Sequence, residues 1–318
     1  DHHLEVVGEA VLEDIDDIGL VVHQHQDGPL GLGPAHLGED GACTRRCARG
    51  LGRCPGRCYP PRGVDPVANA PEFHAPPLIE AVFDLFAVPA HETDPKRADS
   101  FFRAFPEYSG DTEDLHELGM DVRIQGGRPV SQTLSTQARG ERRWNAARSR
   151  SALFGPGVFA LNVLNKPEQP YGHFRDHASE LQRCLEQYLE IGKPERLLWA
   201  GHRYINHVSL APDANPAELF ALYPALPSEH ARTHPGISVQ VETARFHGGV
   251  VVASLVLAFK NPTSAVYALD LYAKTEGELA MSSVHDLMDW HRRAHDHVVQ
   301  TFLFAITRQA RALFKEKL

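Results

Sequence analysis

Hydrophobic and polar residues alternate in a series of segments that begins near Pro71 and continues to about residue 273. In the first segment, PPLIEAVFDLFAV, the apolar residues Ile79, Ala81, Phe83 and Leu85 occupy every second position. Such alternation is typical of a β-strand, because successive side chains point to opposite faces. The same pattern predicts strands at GVFALNVLN, RLLWAGHRYINHVSL and SAVYALDLYA, and hairpins at MDVRIQGGRPVSQTLSTQA and GISVQVETARFHGGVVVASLVLAF.

Apolar residues recur instead at a helical spacing in two longer segments. YGHFRDHASELQRCLEQYLEIG carries such a stripe, and Gly192 is the expected end of its helix. The closing segment predicts one helix from Ser282 to about Lys315, roughly 50 Å long at ~1.5 Å per residue. Two shorter helices are predicted, one at DPKRADSFFRAFPEY and one at NPAELFALYPAL behind Asn215 as N-cap.

The order of these elements is the same in residues 75–192 and in residues 195–318. Each half is predicted to form a strand, a helix, three strands and a long helix, so we infer a duplicated β-α-β-β-β-α unit. Alternating strands need one covered face, and the two striped helices can supply the cover. The sequence therefore predicts one α+β domain over residues 71–318, an antiparallel sheet with long helices packed on one face.

Residues 1–70 differ from the rest of the chain in composition. Before Phe73 the only aromatic residue is Tyr59, and the first lysine of the chain is Lys96. Gly, Pro, Arg, His and Ala dominate the second half of this segment, which lacks the apolar surface that offsets chain entropy. We expect residues 1–70 to be disordered, or residues 1–64 to be translated upstream sequence ahead of a start near Val64.

Four of the five cysteines lie in this same segment, in CTRRCARGLGRCPGRC. Each of its two Cys-x3-Cys pairs has a spacing that allows both cysteines to bind the same tetrahedral zinc ion. The gap between the pairs is short for a zinc knuckle, however, and arginines lie among the candidate ligands. Disorder or upstream sequence is therefore favoured over a zinc site.

Composition and charge argue against several broad classes of function. The 318-residue chain has 42% hydrophobic and 23% charged residues, as globular proteins do, and a formal net charge of −9. That charge disfavours nucleic-acid binding. The support for such binding is limited to four basic residues near the C-terminus, Arg308, Arg311, Lys315 and Lys317. No apolar run approaches the ~20 residues of a membrane span, and there is neither a phosphate-binding loop nor a Gly-x-Ser-x-Gly elbow. We expect a cytoplasmic protein without a cofactor or a membrane partner.

The strand HRYINH carries an unusual number of polar side chains. Alternation places Arg203, Ile205 and His207 on one face and His202, Tyr204 and Asn206 on the other. Polar groups on an interior strand must be paired or must line a cavity. Two hypotheses follow: a buried network that fixes the strand register, or a pocket for a small polar or anionic ligand. The candidate ligand-binding residues are Arg203, Tyr204, Asn206 and Asp270, with Asp270 as the expected partner of Arg203.

The closing helix holds the candidate metal ligands, His291 and His295. Their spacing of four places both on one face, as in a helical zinc pair, and that face is the apolar one. Arg292 stands where a zinc protease has its catalytic Glu, so that mechanism is disfavoured. Core histidines that hydrogen-bond to other groups are the alternative to metal or ligand binding.

Four segments from Pro76 onward resemble a sporadically distributed prokaryotic family of uncharacterised proteins. They are the opening strand PPLIEAVFDLF, the strand HRYINHVSL, the late strand YALDLYA with Asp270, and the closing helix WHRRAHDHVVQTFLFAITRQARALF. Together they cover roughly residues 75–318 in the order that the family shows. The resemblance implies no chemistry, because no activity is established for that family.

Two functional hypotheses follow from the residues. The first is a non-enzymatic cytoplasmic protein that binds another protein or a small polar ligand. The second is a metal-dependent or small-molecule enzyme that uses His291 and His295.

Overall fold

A computed structural model describes residues 4–5, 72–90, 95–125, 128–231, 233–234, 236–276 and 283–317. The chain divides into two compact units, residues 1–65 with 118–135, and residues 66–117 with 136–318. In the first unit, strand β1 (Leu4–Glu5) pairs antiparallel with Val122 and Asp121. The other predictions for residues 1–70, including the cysteine cluster and the start near Val64, lie outside the described residues.

Nine further strands and five α-helices follow in the described ranges. The strands are β2 (Leu78–Val88), β3 (Thr112–Gln125), β4 (Arg128–Trp144), β5 (Arg150–Gly155), β6 (Val158–Leu164), β7 (Arg196–Leu210), β8 (Ser238–Phe246), β9 (Gly249–Lys260) and β10 (Ala265–Lys274). The helices are α1 (Pro95–Arg103), α2 (Phe174–Gly192), α3 (Ser228–Ala231), α4 (Val284–Ala305) and α5 (Arg308–Leu313).

The sheet is antiparallel, and the first strands of the two halves, β2 and β7, pair at its centre. Beside β2 lie β6, β5, β4 and β3 in that order, and beside β7 lie β10, β9 and β8. In both halves the last strand thus returns to lie beside the first, and the other strands follow outward in reverse chain order, with five strands in the first half and four in the second. Two antiparallel halves joined in this way agree with the predicted duplication of an α+β unit.

The first half contains one strand more than predicted. Strand β5, with the sequence RSALFG, lies between β4 and β6. Its residues from Ser151 to Gly155 are all buried, so neither face of the strand is marked by polar positions. Because a strand buried on both faces does not alternate, the period-two pattern could not reveal it.

The long helices pack on one face of the sheet, as predicted for this α+β fold. Helix α4 packs on β7 to β10, α2 packs on β6 and α4, and α1 packs between α2 and β5. The core between these layers includes Phe83 and Leu85 of β2 with Leu181 and Leu185 of α2. No helix in the described ranges is long and apolar enough to cross a membrane.

The prediction of one continuous closing helix is wrong, because this segment forms two helices. Helix α4 ends at Ala305, Ile306 is extended, and Thr307 caps α5 by accepting a hydrogen bond from the Ala310 N–H. At the break Ile306 forms a β-bridge with Phe220, and the Thr307 N–H donates to the Leu219 carbonyl. Tertiary contacts with the 216–221 segment therefore satisfy backbone groups that a continuous helix would have paired internally.

Two other helix ends differ from the prediction. Asn215 does cap the segment that follows, but only a 3-10 turn forms there, Pro216–Glu218. Gly192 is the last residue of α2, whereas the left-handed residue that ends it is Lys193, with φ of 41°.

The opposite face of the sheet, which we call the outer face, carries a smaller apolar cluster. It consists of Val82, Leu153, Val158 and Ala160. On β7 and β10 alternate residues are buried on the helix side and half-buried on this outer face. The centre of the sheet can therefore present polar groups in two separate environments.

Candidate functional site

The four predicted ligand-binding residues do not form one site. Arg203 and Asp270 lie on the outer face, whereas Tyr204 and Asn206 are buried on the helix side of the sheet. Asn206 donates to the backbone carbonyl of Leu269 at 3.1 Å, so its amide serves the pairing of β7 with β10. Arg203 is separated from Tyr204 and Asn206 because successive side chains of β7 point to opposite faces of the sheet.

Arg203 and Asp270 form a bidentate ion pair, as the sequence predicted. The Arg203 Nε lies 2.8 Å from one Asp270 carboxylate oxygen, and Nη2 lies 2.7 Å from the other. Their side chains are 29% and 22% exposed, so the pair lies at the rim of the buried region rather than in the core. A fork-to-fork pair uses the guanidinium geometry that binds carboxylates best. Arg203 is therefore already engaged and is a poor anchor for an anionic ligand.

Asp84 of β2 lies beside this ion pair and is buried. The Tyr272 hydroxyl donates to its Oδ1 at 3.2 Å, and Arg203 attracts it electrostatically without a direct hydrogen bond. Burial raises the pKa of Asp84 to about 7, against the lowering effect of Arg203 and Tyr272 and with a smaller raising effect of Asp270. We call Asp84, Arg203, Asp270 and Tyr272 the outer-face cluster.

Backbone geometry determines how closely this cluster packs. Asp84 lies opposite Gly201 on β7, and Tyr272 lies opposite Arg203. A Cβ on residue 201 would lie 2.0 Å from Asp84 Oδ1 and 2.5 Å from the Tyr272 ring. Glycine at this position therefore allows two side chains from the flanking strands to meet above β7.

Aromatic and polar side chains surround the outer-face cluster. The rings of Phe86 and Trp199 stack with centroids 4.4 Å apart, and Trp199 also hydrogen-bonds to Tyr272. On the same face of β2, Glu80 accepts a hydrogen bond from the Asn162 amide at 2.5 Å. Two carboxylates face one guanidinium in the cluster, so an ionised Asp84 leaves it with a net negative charge.

The second polar group lies between α4 and the sheet and contains three histidines. The His202 ring centroid is 5.7 Å from that of His291 and 5.8 Å from that of His295. His202 and His291 are fully buried, and His295 is half-buried. The prediction that His291 and His295 face the packed side of the helix is thus confirmed, and His202 joins them.

Aromatic rings enclose the histidine cluster, which we define as His202, His291 and His295. Phe83 and Phe174 lie edge-on to His202, at centroid distances of 4.9 and 5.2 Å. The Tyr204 hydroxyl lies 2.8 Å from His295 Nδ1 and 2.8 Å from the Tyr171 hydroxyl. A hydrogen-bonded chain therefore leads from His295 across Tyr204 to Tyr171.

Several nitrogen atoms of the cluster are buried without a partner among the described residues. They are both ring nitrogens of His202 and Nδ1 of His291. A neutral imidazole always carries one N–H donor and one acceptor, so His202 leaves both unsatisfied. Such groups are rare in proteins, and each costs about 1–3 kcal/mol.

Burial keeps all three histidines neutral. Desolvation lowers the pKa of His291 to about 3 and that of His295 to about 4, where His173 contributes a smaller repulsion. The pKa of His202 falls well below its usual value for the same reason, reinforced by His291 and His295.

The predicted metal site does not fit these residues. In the ranges that the structure describes, no three His, Cys, Asp or Glu side chains are arranged as a metal-binding group. Each buried ring nitrogen faces aromatic walls and another neutral imidazole, without the carboxylate or thiolate that would offset a cation's desolvation. His291 and His295 are therefore core histidines in this fold, and we derive no chemistry through a metal.

Sequence reasoning missed Asp84, Tyr272 and His202 as members of these clusters. Tyr272 follows Asp270 by two residues, so the period of the strand could have placed it on the same face. Asp84 interrupts an apolar strand, which is a signal of a paired or functional carboxylate. For His202, only the contact between β7 and α4 reveals its neighbours.

Cys184 is the one cysteine that the described residues include, and it is free and fully buried. Burial raises the pKa of its thiol, with a smaller contribution from Glu180. A thiol that remains protonated is a poor nucleophile, so Cys184 serves as a core residue.

Comparison with known proteins assigns no family. No protein-family model matches the chain, and no curated protein matches it. A solved structure, the di-domain ARO/CYC StfQ from the steffimycin biosynthetic pathway, is 11% identical over 74% of this chain and 97% of that one. Its TM-score is 0.13, so this likeness carries no argument about fold or function.

Proposed function

We propose that the protein is a non-enzymatic cytoplasmic binding protein whose outer-face cluster binds a small polar ligand with a positive charge. The observation that carries the proposal is the charge balance of the cluster. Arg203 pairs through Nε and Nη2 with both carboxylate oxygens of Asp270, and the buried Asp84 has no hydrogen-bonded cation of its own. A ligand cation at Asp84 would provide that missing charge, which argues against the anionic ligand considered from sequence.

The surroundings of Asp84 favour an organic cation over a metal ion as the ligand. Trp199, Phe86 and Tyr272 supply aromatic surface beside the carboxylate. Amines and guanidines bind well where an aromatic face and a carboxylate lie together. The resemblance to the prokaryotic family of uncharacterised proteins remains part of this proposal, since that family also carries an acidic residue in its late strand.

The test is isothermal titration of the full chain with a panel of small amines, polyols, carboxylates and organophosphates. We expect amines to bind, and we expect Asp84→Asn to weaken the binding at least tenfold while Asp213→Asn, an exposed carboxylate elsewhere, leaves it unchanged. If the cluster only fixes the register of β7, Asp84→Asn will change stability and no compound will bind. That outcome, or preferential binding of anions, would reject the proposal.

The pH dependence of binding provides an independent check. Because the pKa of Asp84 is raised to about 7, the carboxylate is ionised above pH 7 and protonated below it. Amine affinity should therefore be constant above pH 7 and should fall toward about tenfold per pH unit below it. An affinity that rises on acidification would contradict a role for ionised Asp84.

A second candidate is an enzyme that uses His291 and His295 on a small molecule. The unpartnered nitrogens of His202 and His291 favour it, because buried imidazoles without partners occur at catalytic sites. Its test is small-molecule binding by the full chain compared with binding by the variant His291→Ala. Unchanged binding in that variant would remove this candidate.

A further inference from the structure

Helix α5 and the residues directly after it form a basic surface, whereas the outer-face cluster is negatively charged when Asp84 is ionised. An open cleft of about 440 Å³ is lined by three basic residues with one acidic and one small residue. They are Arg308, Arg311, Ala312, Lys315 and Glu316. Since the chain as a whole has a net charge of −9, this concentration of basic groups is local.

Two of the three basic side chains have no ionic partner among the described residues. Arg308 and Lys315 are exposed, seven residues apart in the chain. Arg311 between them is anchored, because its Nη2 donates to the Leu303 carbonyl at 2.9 Å and its Nη1 lies 3.8 Å from Glu316. The Arg311 Nε is buried and has no acceptor among the described residues. The cleft therefore offers donors and positive charge that the rest of the domain leaves unused.

Two large apolar side chains of the same C-terminal segment are exposed to solvent. Phe304 is 63% exposed and Leu313 is 54% exposed, the highest values for large apolar residues in the described ranges. The hydrogen bond from Arg311 to the Leu303 carbonyl holds the guanidinium against the last turn of α4, the turn to which Phe304 belongs. An exposed aromatic residue next to arginine is the composition typical of energetically important positions in protein interfaces.

From this juxtaposition we propose that the C-terminal cleft binds an acidic segment of a protein partner, with an apolar residue of that segment packed against Phe304. Charge complementarity selects an acidic partner, because Arg308 and Lys315 are the free charges. A concave cleft that includes Glu316 suits a peptide better than a flat layer of lipid phosphates. Two free cations are too few for the phosphate contacts of a nucleic-acid interface. The site is independent of the outer-face cluster, so either proposal can fail alone.

The experiment is selection of random twelve-residue peptides displayed on phage against the immobilised full chain. We expect the selected peptides to be enriched in Asp and Glu around an apolar residue. Their affinity should fall at least tenfold in the double variant Arg308→Glu with Lys315→Glu, and at least fivefold in Phe304→Ser. The matched control is Arg293→Glu, an exposed arginine on α4 outside the cleft, which should leave the affinity unchanged.

Three results would overturn the proposal. The first is a selection without enrichment of acidic residues, and the second is selected peptides that bind the cleft variants as well as the natural chain. The third is binding of the full chain to vesicles containing 30% phosphatidylserine, with loss in the same variants, when no acidic peptide is selected. Circular dichroism of each variant verifies that the fold is retained.

Discussion

Gly201 lies where side chains from three neighbouring strands meet on the outer face of the sheet. Asp84 from β2 and Tyr272 from β10 occupy the space above it, and Arg203 follows two residues later on the same face. The close approach of Asp84 and Tyr272 depends on the absence of a Cβ at position 201. The buried Asp84 carboxylate and the Tyr272 hydroxyl that donates to it can therefore meet because residue 201 is glycine.

Gly201→Ala should lower the free energy of unfolding by about 1–3 kcal/mol, because a Cβ there would overlap Asp84 and Tyr272. Equilibrium urea denaturation measures the change. The control is Gly236→Ala, where no atom lies within 4 Å of the added Cβ and the free energy of unfolding should remain nearly the same. Equal effects of the two substitutions would contradict the close approach that the structure shows.

Two buried tyrosines have hydroxyl groups in opposite situations. The Tyr204 hydroxyl joins His295 to Tyr171, whereas the Tyr188 hydroxyl is buried without a partner among the described residues. We expect Tyr204→Phe to destabilise the fold by about 1–3 kcal/mol, since it leaves two polar groups without that partner. Tyr188→Phe should be neutral or stabilising for the same reason. Denaturant midpoints that rank the two variants in the reverse order would refute this assignment.

At the scale of elements, the break between α4 and α5 shows how tertiary contacts override a helical pattern. The sequence through Ile306 and Thr307 continues the apolar stripe, so the pattern predicts no interruption. Both residues are β-branched, however, and extended backbone suits them. Their contacts with Leu219 and Phe220 fix the path of the chain.

Thr307 holds this break in two ways. Its hydroxyl accepts from the Ala310 N–H and donates to the Glu218 carbonyl. Thr307→Ala should therefore lower the free energy of unfolding by about 0.5–2 kcal/mol, the range measured for loss of an N-cap. Thr307→Ser keeps the hydroxyl and should recover most of that loss in the same urea titration. Failure of serine to recover it would indicate that the methyl group, not the cap, matters.

At the scale of the whole molecule, the histidine cluster couples stability to pH. His202, His291 and His295 join α4 to the central strand β7 in their neutral form. Their pKa values are lower in the folded chain than the usual 6.5, so unfolded chains bind protons first on acidification. Their contribution to stability is therefore complete above pH 6.5 and is lost as the pH falls toward 4 and 3.

Asp84 acts in the opposite direction over the same range. Its pKa is raised from 3.8 to about 7, so its contribution is complete below pH 3.8 and is lost as the pH rises through 7. Each group changes the free energy of unfolding by at most about 1.4 kcal/mol per pH unit. Because three histidines oppose one aspartate, we expect a net loss of stability from pH 6.5 to pH 4.5.

Urea denaturation at pH 7.5, 6.5, 5.5 and 4.5 measures this dependence. The variant His291→Gln removes one titrating group and should show a smaller loss between pH 6.5 and pH 4.5 than the natural chain. The matched control is His285→Gln, an exposed histidine on the same helix that does not belong to the cluster. A free energy of unfolding independent of pH would contradict the burial of the cluster in neutral form.

Sequence by itself determined the features that follow local rules. The period of two placed nearly all strands and separated the two faces of β7, and the paired hairpin strands follow from the same pattern and its turns. The stripe on α4 correctly turned His291 and His295 toward the sheet. These predictions succeed because the direction of a side chain within one element depends only on backbone geometry.

Only the tertiary structure decided which elements meet. It revealed β5, whose residues are buried on both sides, and it broke the closing helix where Ile306 bridges to Phe220. It also brought Asp84 to Tyr272 across β7 and His202 to the α4 histidines, pairs far apart in the chain. Strand order and helix packing are properties of the assembled chain, so no local periodicity contains them. The alternation of residues along each strand thus determined which side chains share a face of the sheet. Long-range packing decided which other residues each of those side chains contacts.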